Sequence, residues 1–162
     1  MITASDRVSQ GVRDDTSGVG VGERLGALGF VVQRAILPDE RAALTETLRA
    51  SAQTHDLILT TGGTGLTPRD VTPQATLDAI DYEVPGLAEA MRAAGRRSTP
   101  FADLSRGVVG VIGHSLVVNL PGSPSGALES LAALEPVLDH ALETLAGPFD
   151  HETGTPARTA DR

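Results

Sequence analysis

Residues 57–73 read Leu-Ile-Leu-Thr-Thr-Gly-Gly-Thr-Gly-Leu-Thr-Pro-Arg-Asp-Val-Thr-Pro. They begin as a short apolar run, which is typical of a buried strand in a parallel sheet. The run then changes abruptly to glycine and threonine. A helix is predicted to begin at Thr72-Pro73, because a hydroxyl N-cap followed by proline at the first helical position is a strong helix start. Strand, glycine loop, carboxylate and helix, in this order, are typical of a ligand site at the carboxyl edge of an open α/β sheet.

The residue types of this loop suit a ligand that carries phosphate. Glycines have no Cβ, so a ligand can lie directly on backbone N–H groups, and threonine hydroxyls add further donors. Asp70 is a candidate ligand for a divalent cation, and Arg69 is a candidate for neutralising a phosphate. The alternative is a tight turn followed by an ordinary capped helix. The glycines and hydroxyls concerned are Thr60, Thr61, Gly62, Gly63, Thr64 and Gly65.

The composition restricts the class of protein. A chain of 162 residues suits one domain, and with 40% hydrophobic but only 2% aromatic residues its core must be packed from Val, Leu, Ile and Ala. The net charge of −8 argues against broad binding to nucleic acids or anionic membranes. Without cysteine, disulfides and thiolate chemistry are excluded, and the four histidines show no metal-ligand spacing. No apolar run approaches the ~20 residues of a membrane span and no signal peptide is visible, so a cytoplasmic location is expected.

Strand and helix signals alternate along the chain, which indicates an α/β fold. A cap for the first helix is predicted at Asp15-Thr16-Ser17-Gly18, and residues 5–17 are otherwise interpreted as a loop. Asp39 sits where the N-cap of the second helix belongs, so capping alone is one interpretation of it. The predicted strands are 1–4, 30–37, 56–60, 108–112 and 116–120. The predicted helices are 19–28, one after Asp39 to residue 53, 73–80, one from residue 85 that ends before 98, and 127–145, interrupted or kinked at Pro136. The domain is predicted to span 1–146 and a polar tail 147–162.

A second glycine-rich loop follows the last predicted strand. Strands 108–112 and 116–120 are separated by only three residues, which predicts an antiparallel hairpin in an otherwise parallel sheet. Residues 119–126 then read Asn-Leu-Pro-Gly-Ser-Pro-Ser-Gly, again a strand, a turn and a helix start. Because both glycine loops leave strands, they can meet at one edge of the sheet and form a cleft with two anion-binding walls. A phosphorylated nucleotide, or a ligand similar to one, is the natural occupant.

Three common nucleotide and hydrolase motifs are missing. The chain has no lysine, so the Gly-x-x-x-x-Gly-Lys-Ser/Thr loop of many NTPases is excluded. There is also no Gly-x-Ser-x-Gly elbow. Gly18, Gly20 and Gly22 resemble a dinucleotide fingerprint, but its third glycine would fall at Glu23. A nucleotide hydrolase and a dinucleotide-binding oxidoreductase are therefore disfavoured.

Eight short motifs together resemble the molybdenum-cofactor biosynthesis proteins of the MogA/MoaB type, which are similar to the G domain of gephyrin. The motifs occur in family order and cover about residues 5–146. They are Ser5-Asp6-Arg7, Asp15-Thr16-Ser17-Gly18, Pro38-Asp39-Glu40, Thr60-Thr61-Gly62-Gly63-Thr64-Gly65, Arg69-Asp70-Val71-Thr72-Pro73, Glu83-Val84-Pro85-Gly86, Ser105-Arg106 and Asn119-Leu120-Pro121-Gly122-Ser123-Pro124.

The resemblance implies a three-layer αβα domain that binds molybdopterin and is usually a homotrimer. It implies adenylyl transfer, in which AMP passes from Mg-ATP to the terminal phosphate of molybdopterin and pyrophosphate is released. A molybdenum-inserting protein is an implied partner. The alternative within the same fold is a protein that binds or scaffolds molybdopterin without turnover.

The resemblance also implies a two-carboxylate site. The family's carboxylates fall on Asp39 and Asp70, and both being present favours the enzyme over the scaffold. Asp70 is expected to hold Mg²⁺, and Asp39 to hold or position the nucleophilic phosphate. The substrate-binding candidates are Thr61, Gly62, Gly63, Thr64, Gly65, Arg69, Asn119, Pro121, Gly122 and Ser123, followed by Ser5, Asp6, Ser17, Glu83, Ser105 and Arg106.

The first strand departs from the family pattern. The family normally has several more residues before Ser-Asp-Arg than Met1 to Ala4 provide. Either a short strand suffices here or a central strand is shortened. A shortened central strand would lower stability without altering Asp39 or Asp70.

Overall fold

Strands and helices alternate along the chain in the computed structural model, which describes residues 1–147, 149–150 and 155–156. The strands are β1 (Ile2–Ala4), β2 (Ala35–Leu37), β3 (Leu57–Thr61), β4 (Tyr82–Glu83), β5 (Val109–Ile112), β6 (Ser115–Leu120), β7 (Phe149–Asp150) and β8 (Thr155–Pro156). The α-helices are α1 (Asp6–Ser9), α2 (Thr16–Ala27), α3 (Arg41–Ser51), α4 (Thr72–Ala79), α5 (Pro85–Gly95) and α6 (Pro124–Ala146), and a 3₁₀ helix spans Pro100–Leu104.

Six of the strands form one mixed sheet in the order β2-β1-β3-β6-β5-β4. The pairs β2–β1, β1–β3 and β3–β6 are parallel, whereas β5 runs antiparallel to both of its neighbours, β6 and β4. The predicted sheet, mostly parallel with one antiparallel strand, is therefore confirmed, and so is the hairpin of β5 and β6. Strands β7 and β8 pair antiparallel with each other.

The helices cover both faces of this sheet. Helices α2, α5 and α6 pack on one face in a cluster that includes Val21, Met91 and Leu131. Helices α3 and α4 pack on the other face with Leu44 and Ala75. Because the central strands are buried on both faces, their sequences are almost continuously apolar. The three-layer αβα arrangement is confirmed.

The register of the sheet brings three loops to one edge. Thr61, the last residue of β3, lies opposite Leu120, the last residue of β6. The Gly62 N–H donates to the Leu120 carbonyl at 3.3 Å, so the chain leaves both strands at the same level. Strand β1 pairs with the end of β3 and also ends there, at Ala4. The loops after β1, β3 and β6 therefore surround one opening.

The structure revises the predicted helix starts. The Asp15 cap is confirmed, because Asp15 Oδ1 accepts from the Gly18 N–H at 2.9 Å, although α2 begins at Thr16 rather than Val19. The Asp39 cap is wrong: the N-cap of α3 is Glu40, which makes no side-chain capping bond. The predicted Thr72 cap is also wrong, because Thr72 is already helical and the residue at the N-cap is Val71. In both cases a tertiary contact holds the chain where a local cap was expected.

Other boundaries differ because strand partners decide them. Strand β2 is shorter than the predicted 30–37, since the three residues of β1 pair only with Ala35–Leu37. The predicted loop 5–17 contains the one-turn helix α1, which is too short to show a helical period. Helix α6 continues through Pro136 as one element, so the predicted interruption is wrong. Most of the predicted tail, 147–162, lies outside the described residues, which there are 147, 149–150 and 155–156. None of the helices in the described part is long and apolar enough to cross a membrane.

Candidate functional site

Glycines line the opening at the carboxyl ends of β1, β3 and β6. Gly62 and Gly63 have φ angles of +91° and +62°, values that residues with a Cβ rarely adopt. A Cβ on Gly62 would overlap the carbonyl oxygen of Ala4, and a Cβ on Gly122 would lie 3.2 Å from the Gly62 Cα. The predicted glycine loops therefore touch each other, and no side chain separates them.

Two cavities open side by side on this edge. The larger has a volume of 370 Å³ and lies between the Gly63–Gly65 segment, helix α5, the 3₁₀ helix and the residues after β6. The smaller has a volume of 350 Å³ and lies between the end of β1, Asp39 and the Thr61–Gly63 segment. Both cavities are lined by Gly63, Asp70, Gly122 and Ser123. The two cavities therefore share a wall, to which Asp70 belongs, and we call them together the cleft.

Most of the predicted site residues line this cleft. The larger cavity is lined by Gly63, Thr64, Gly65, Asp70, Ser105, Asn119, Pro121, Gly122 and Ser123. The smaller cavity is lined by Ser5, Ser17, Asp39, Thr61, Gly62, Gly63, Asp70, Gly122 and Ser123. Four predicted residues line neither cavity, namely Asp6, Arg69, Glu83 and Arg106. Of these, Glu83 is exposed in β4, which lies at one edge of the sheet.

The Asp70 carboxylate is held by the loop that precedes it. Its Oδ2 accepts from the Thr67 N–H at 2.8 Å and from the Thr67 hydroxyl at 2.6 Å. Burial alone would raise the pKa of Asp70, but hydrogen bonds from Thr67 and from the Gly65 N–H, with the nearby charge of Arg106, outweigh it and lower the pKa. Asp70 is therefore ionised at neutral pH.

The Asp39 carboxylate is interlocked with Asp6. Asp39 Oδ2 accepts from the Asp6 N–H at 2.9 Å, and the Asp39 N–H donates to Asp6 Oδ1 at 3.0 Å. Within the described residues the other oxygen, Asp39 Oδ1, is buried and has no hydrogen-bond partner. Burial is the main cause of a raised pKa at Asp39, and the charges of Asp6 and Asp70 also act to raise it, against the Asp6 N–H bond and Arg69. The two site carboxylates thus have pKa values shifted in opposite directions.

Arg69 contacts the carboxylates behind the cleft. Its Nε lies 3.0 Å from Asp6 Oδ2, its Nη2 lies 2.9 Å from Asp6 Oδ1, and Nη2 also reaches Glu40 at 3.2 Å. The guanidinium therefore forms a bidentate pair with the residue that grips Asp39. These contacts connect Arg69 to Asp39 through Asp6. They differ from the contact with a phosphate that the sequence predicts for Arg69.

Arg106 ties together the two ends of the segment that carries Asp70. Its Nε donates to the Gly65 carbonyl at 2.7 Å and its Nη2 to the Asp70 carbonyl at 2.6 Å. Its own N–H donates to the Thr64 carbonyl at 3.0 Å. Arg106 therefore fixes the shape of the loop from behind.

The side chains of Thr60 and Asn119 point into the protein. Asn119 Nδ2 donates to Thr60 Oγ1 at 3.1 Å and to Thr76 Oγ1 at 2.8 Å, and Asn119 Oδ1 accepts from the Val108 N–H at 3.2 Å. Both residues are fully buried. Asn119 therefore fastens β6 to its neighbours, and the Thr60 hydroxyl is used inside the sheet.

Sequence reasoning missed several residues of the cleft. Arg13 lines the smaller cavity, and Arg92 lines the larger one together with Met91 and Phe101. Arg13 belongs to a segment that was interpreted only as a polar loop. Arg92 shares a helix with apolar residues, so no local pattern distinguishes it from a solvated charge. Only the packing of α5 and the 3₁₀ helix against the loops reveals Arg92, and only the position of the 10–15 segment beside the end of β1 reveals Arg13.

The carboxylates suit a magnesium ion that arrives with a phosphate ligand. The described residues contain no group of three or more His, Cys, Asp or Glu side chains that could form a complete metal site. Mg²⁺ is commonly held by one or two carboxylates, with waters and substrate phosphates completing its shell. The ionised Asp70 and the unpartnered Asp39 Oδ1 fit that requirement.

Comparisons with known proteins identify the family of the chain. Residues 1–140 match a family described as "Probable molybdopterin binding domain". The chain is 35% identical to a molybdopterin adenylyltransferase of Helicobacter pylori, over 92% of this chain and 88% of that protein. It is similar to the solved structure of the molybdopterin biosynthesis enzyme MoaB of Thermus thermophilus, with 51% identity, a TM-score of 0.83 and coverage of 91% and 94%. It is also similar to the Mog protein of Mycobacterium ulcerans, with 42% identity, a TM-score of 0.84 and coverage of 89% and 95%.

Proposed function

The chain belongs to the molybdopterin-binding domain family, and from this membership we propose that it is a molybdopterin adenylyltransferase. In this reaction the terminal phosphate of molybdopterin attacks the α-phosphate of ATP. A new phosphorus–oxygen bond joins the two phosphates, and the bond between the α- and β-phosphates breaks to release pyrophosphate. The reaction class follows the relatives from Helicobacter pylori and Escherichia coli, which carry the name molybdopterin adenylyltransferase.

The observation that carries the proposal is the division of the cleft into two cavities that meet at Asp70. Transfer between two substrates requires two binding spaces with a shared boundary at which the reacting phosphates meet. The cavities of 370 and 350 Å³ share Gly63, Asp70, Gly122 and Ser123. A pure binding protein for one ligand would need only one of these spaces.

The protein's contribution to this chemistry is positioning and charge stabilisation. A phosphate monoester has a second pKa of about 6 and is already largely ionised at neutral pH, so the nucleophile needs little help from a base. Gly63 and Thr64 line the larger cavity, so their backbone N–H groups are candidates to donate to a phosphate bound there. Helix α6 begins at the cleft with Ser123 as its N-cap, which favours negative charge. The backbone N–H groups of this loop and of the first turn of α6 can donate hydrogen bonds to the pyrophosphate, which gains negative charge as it leaves.

Asp70 and Asp39 are the residues that we propose to hold Mg²⁺ at the boundary, Asp70 as the main ligand. When bound there, the ion would neutralise phosphate charge. Asp39 is also proposed to hold or position the nucleophilic phosphate, and its position beside Arg13 in the lining of the smaller cavity supports this role. A phosphate in that cavity would face one guanidinium as well as one carboxylate.

Further features are proposed from the family resemblance. These are ATP and Mg²⁺ as reactants, a homotrimeric assembly, a molybdenum-inserting partner and a cytoplasmic location. The domain is proposed to span 1–146, with 147–162 as a tail. Size-exclusion chromatography with light scattering would test the trimer directly.

The test of the function is an assay for the two products. Purified protein is incubated with molybdopterin and Mg-ATP, and adenylated molybdopterin and pyrophosphate are measured. We expect both products from the wild type, and a loss of about a hundredfold or more in Asp70→Asn. Asp78→Asn is the matched control, because it removes a carboxylate that pairs with Arg41 away from the cleft.

One result would contradict the proposed activity, and another would contradict only the proposed site. A folded wild type that binds molybdopterin but forms no product would support the scaffold alternative. Full activity in Asp70→Asn would leave the transferase assignment intact but remove Asp70 from the site.

A further inference from the structure

Arg106 reaches the segment that carries Asp70 from the side away from the cleft. Its neighbours Ser105 and Gly107 line the larger cavity, whereas Arg106 itself lines neither cavity of the cleft. It lines a separate cavity of 460 Å³ instead, together with residues 66–68 of the loop before Asp70. Arg106 is therefore placed to contact this loop rather than a ligand in the cleft.

The backbone at Arg106 is fixed between the first glycine loop and β6. The Arg106 N–H donates to the Thr64 carbonyl at 3.0 Å. At the next residue, a Cβ on Gly107 would lie 2.7 Å from the Asn119 carbonyl oxygen, so only glycine lets the chain run this close to β6. The guanidinium of Arg106 therefore extends from a backbone whose position the sheet determines.

The guanidinium joins the two ends of the loop 65–70. Its Nε donates to the Gly65 carbonyl at 2.7 Å, and its Nη2 donates to the Asp70 carbonyl at 2.6 Å. Inside the loop, the Asp70 N–H donates to the Thr67 carbonyl at 3.0 Å, and the Thr67 N–H donates to Asp70 Oδ2 at 2.8 Å. The carbonyl and the carboxylate of Asp70 thus have separate partners, and together these partners fix the direction of the side chain.

We propose that Arg106 is a positioning residue for Asp70, which it holds at the wall shared by the two cavities by bridging the Gly65 and Asp70 carbonyls. The bridge requires the rigid, planar set of donors of a guanidinium, which the single ammonium of lysine does not provide. This role differs from the substrate contact that the family resemblance implies for Arg106. The catalytic part of the inference rests on the proposed adenylyl transfer, whereas the bridge itself does not.

The kinetic test replaces the guanidinium and keeps its charge. In Arg106→Lys we expect kcat to fall by about ten- to a hundredfold, because small displacements at a reacting centre are costly, while KM for molybdopterin stays within about twofold. Arg41→Ala is the matched control, because Arg41 lines the same separate cavity but pairs with Asp78 rather than with the loop. It should leave kcat unchanged. Wild-type kcat in Arg106→Lys would show that charge alone suffices, and this overturns the proposal.

A double-mutant cycle tests whether Arg106 acts through Asp70. If it does, Arg106→Lys should lower the residual kcat of Asp70→Asn by less than about twofold, since the carboxylate to be positioned is already gone. A loss as large as that in the wild-type background would mean that Arg106 acts independently of Asp70. That result, too, overturns the proposal.

The structural test needs neither ligand nor activity. The amides of Thr67 and Asp70 are bonded inside the loop, so their hydrogen exchange reports on its opening. We expect exchange in the segment 66–70 to be about tenfold faster in Arg106→Lys, the value of roughly one hydrogen bond from a charged donor, and unchanged in Arg41→Ala. Exchange at the wild-type rate in Arg106→Lys would contradict the bridge.

The two proposals can fail separately. If the wild type forms no adenylated product, the proposed function fails, and hydrogen exchange alone decides whether Arg106 holds the loop. If Arg106→Lys does not fold, Arg106→Gln gives the same comparisons, because its shorter side chain cannot reach both carbonyls.

Discussion

A single methyl group added at Gly63 should harm both stability and turnover. Gly63 has a φ of +62°, and a Cβ there would overlap Thr72 Oγ1 and lie 3.1 Å from Asp39 Oδ1. Gly113, in the turn between β5 and β6, is a matched control. Its φ of +57° is nearly the same, but a Cβ there would meet no atom within 4 Å. The pair Gly63→Ala and Gly113→Ala therefore separates backbone strain from steric overlap.

The size of the difference follows from these contacts. Both alanines cost about 1–2 kcal/mol for placing an L-residue in the left-handed region. Only Gly63→Ala adds an overlap inside a packed site, which typically costs about 1–3 kcal/mol. For a domain of this size 1 kcal/mol corresponds to a change in melting temperature of about 2–4 °C. We therefore expect Gly63→Ala to melt at least about 2 °C, and up to about 12 °C, below Gly113→Ala.

The assay combines thermal unfolding, followed by circular dichroism, with the measurement of adenylated molybdopterin. Gly113→Ala should keep wild-type turnover. Gly63→Ala should lose about a hundredfold in turnover, because displacing Asp39 by even 1 Å disturbs the alignment of the phosphates. Equal melting temperatures for the two variants, with full activity in Gly63→Ala, would show that Thr72 and Asp39 do not pack against Gly63 as described.

Two further predictions concern the residues around Asp39. Arg69→Ala should lower kcat by about tenfold, because Arg69 holds the residue that grips Asp39, while the melting temperature changes little since the guanidinium is exposed. Arg24→Ala removes a similar exposed bidentate pair, with Glu135, and should leave kcat unchanged; equal losses in both variants would contradict the role of Arg69. Asp39→Asn should abolish turnover yet raise the melting temperature near pH 7, because the folded protein keeps Asp39 in an environment that raises its pKa above 3.8. A raised carboxyl pKa means that the native state binds the proton more tightly than the unfolded chain, so the wild type loses stability as pH rises from 3.8 through the folded pKa. Calorimetry should therefore show that the stability of Asp39→Asn relative to the wild type decreases as the pH falls towards 4. A constant or growing difference in stability would refute the raised pKa of Asp39 as its cause.

The local features of the fold were predictable because short-range chemistry produces them. The apolar run of β3, the Asp15 cap and the hairpin of β5 and β6 each depend on residues close together in the chain. The family motifs extended the prediction to the three-layer arrangement, and they identified Asp39 where local sequence suggested only a cap. Boundaries were less predictable, as at β2, because a strand ends where its partner ends.

The contacts that the candidate site residues make were less predictable than which residues form the site. Thr60 and Asn119 carry the right groups for binding a ligand, but the structure bonds them to each other across two strands. Arg69 carries a charge suited to phosphate, but its contacts are with Asp6, 63 residues away in the chain. Arg13 and Arg92 line the cleft although their neighbours in sequence give no sign of it.

The amino-acid order alone determined which residues are available for this chemistry: a glycine loop with an adjacent carboxylate, a second glycine loop, and no lysine or cysteine. Backbone freedom, apolar periodicity and side-chain chemistry are properties of short segments, so they can be read before the chain is folded. The tertiary structure decided which of these groups face the cleft and which are used inside the protein. It placed Asp70 at the boundary of two cavities and left one oxygen of Asp39 beside Thr72. These outcomes depend on strand register and on contacts between residues more than thirty positions apart, for which no short segment carries a signal.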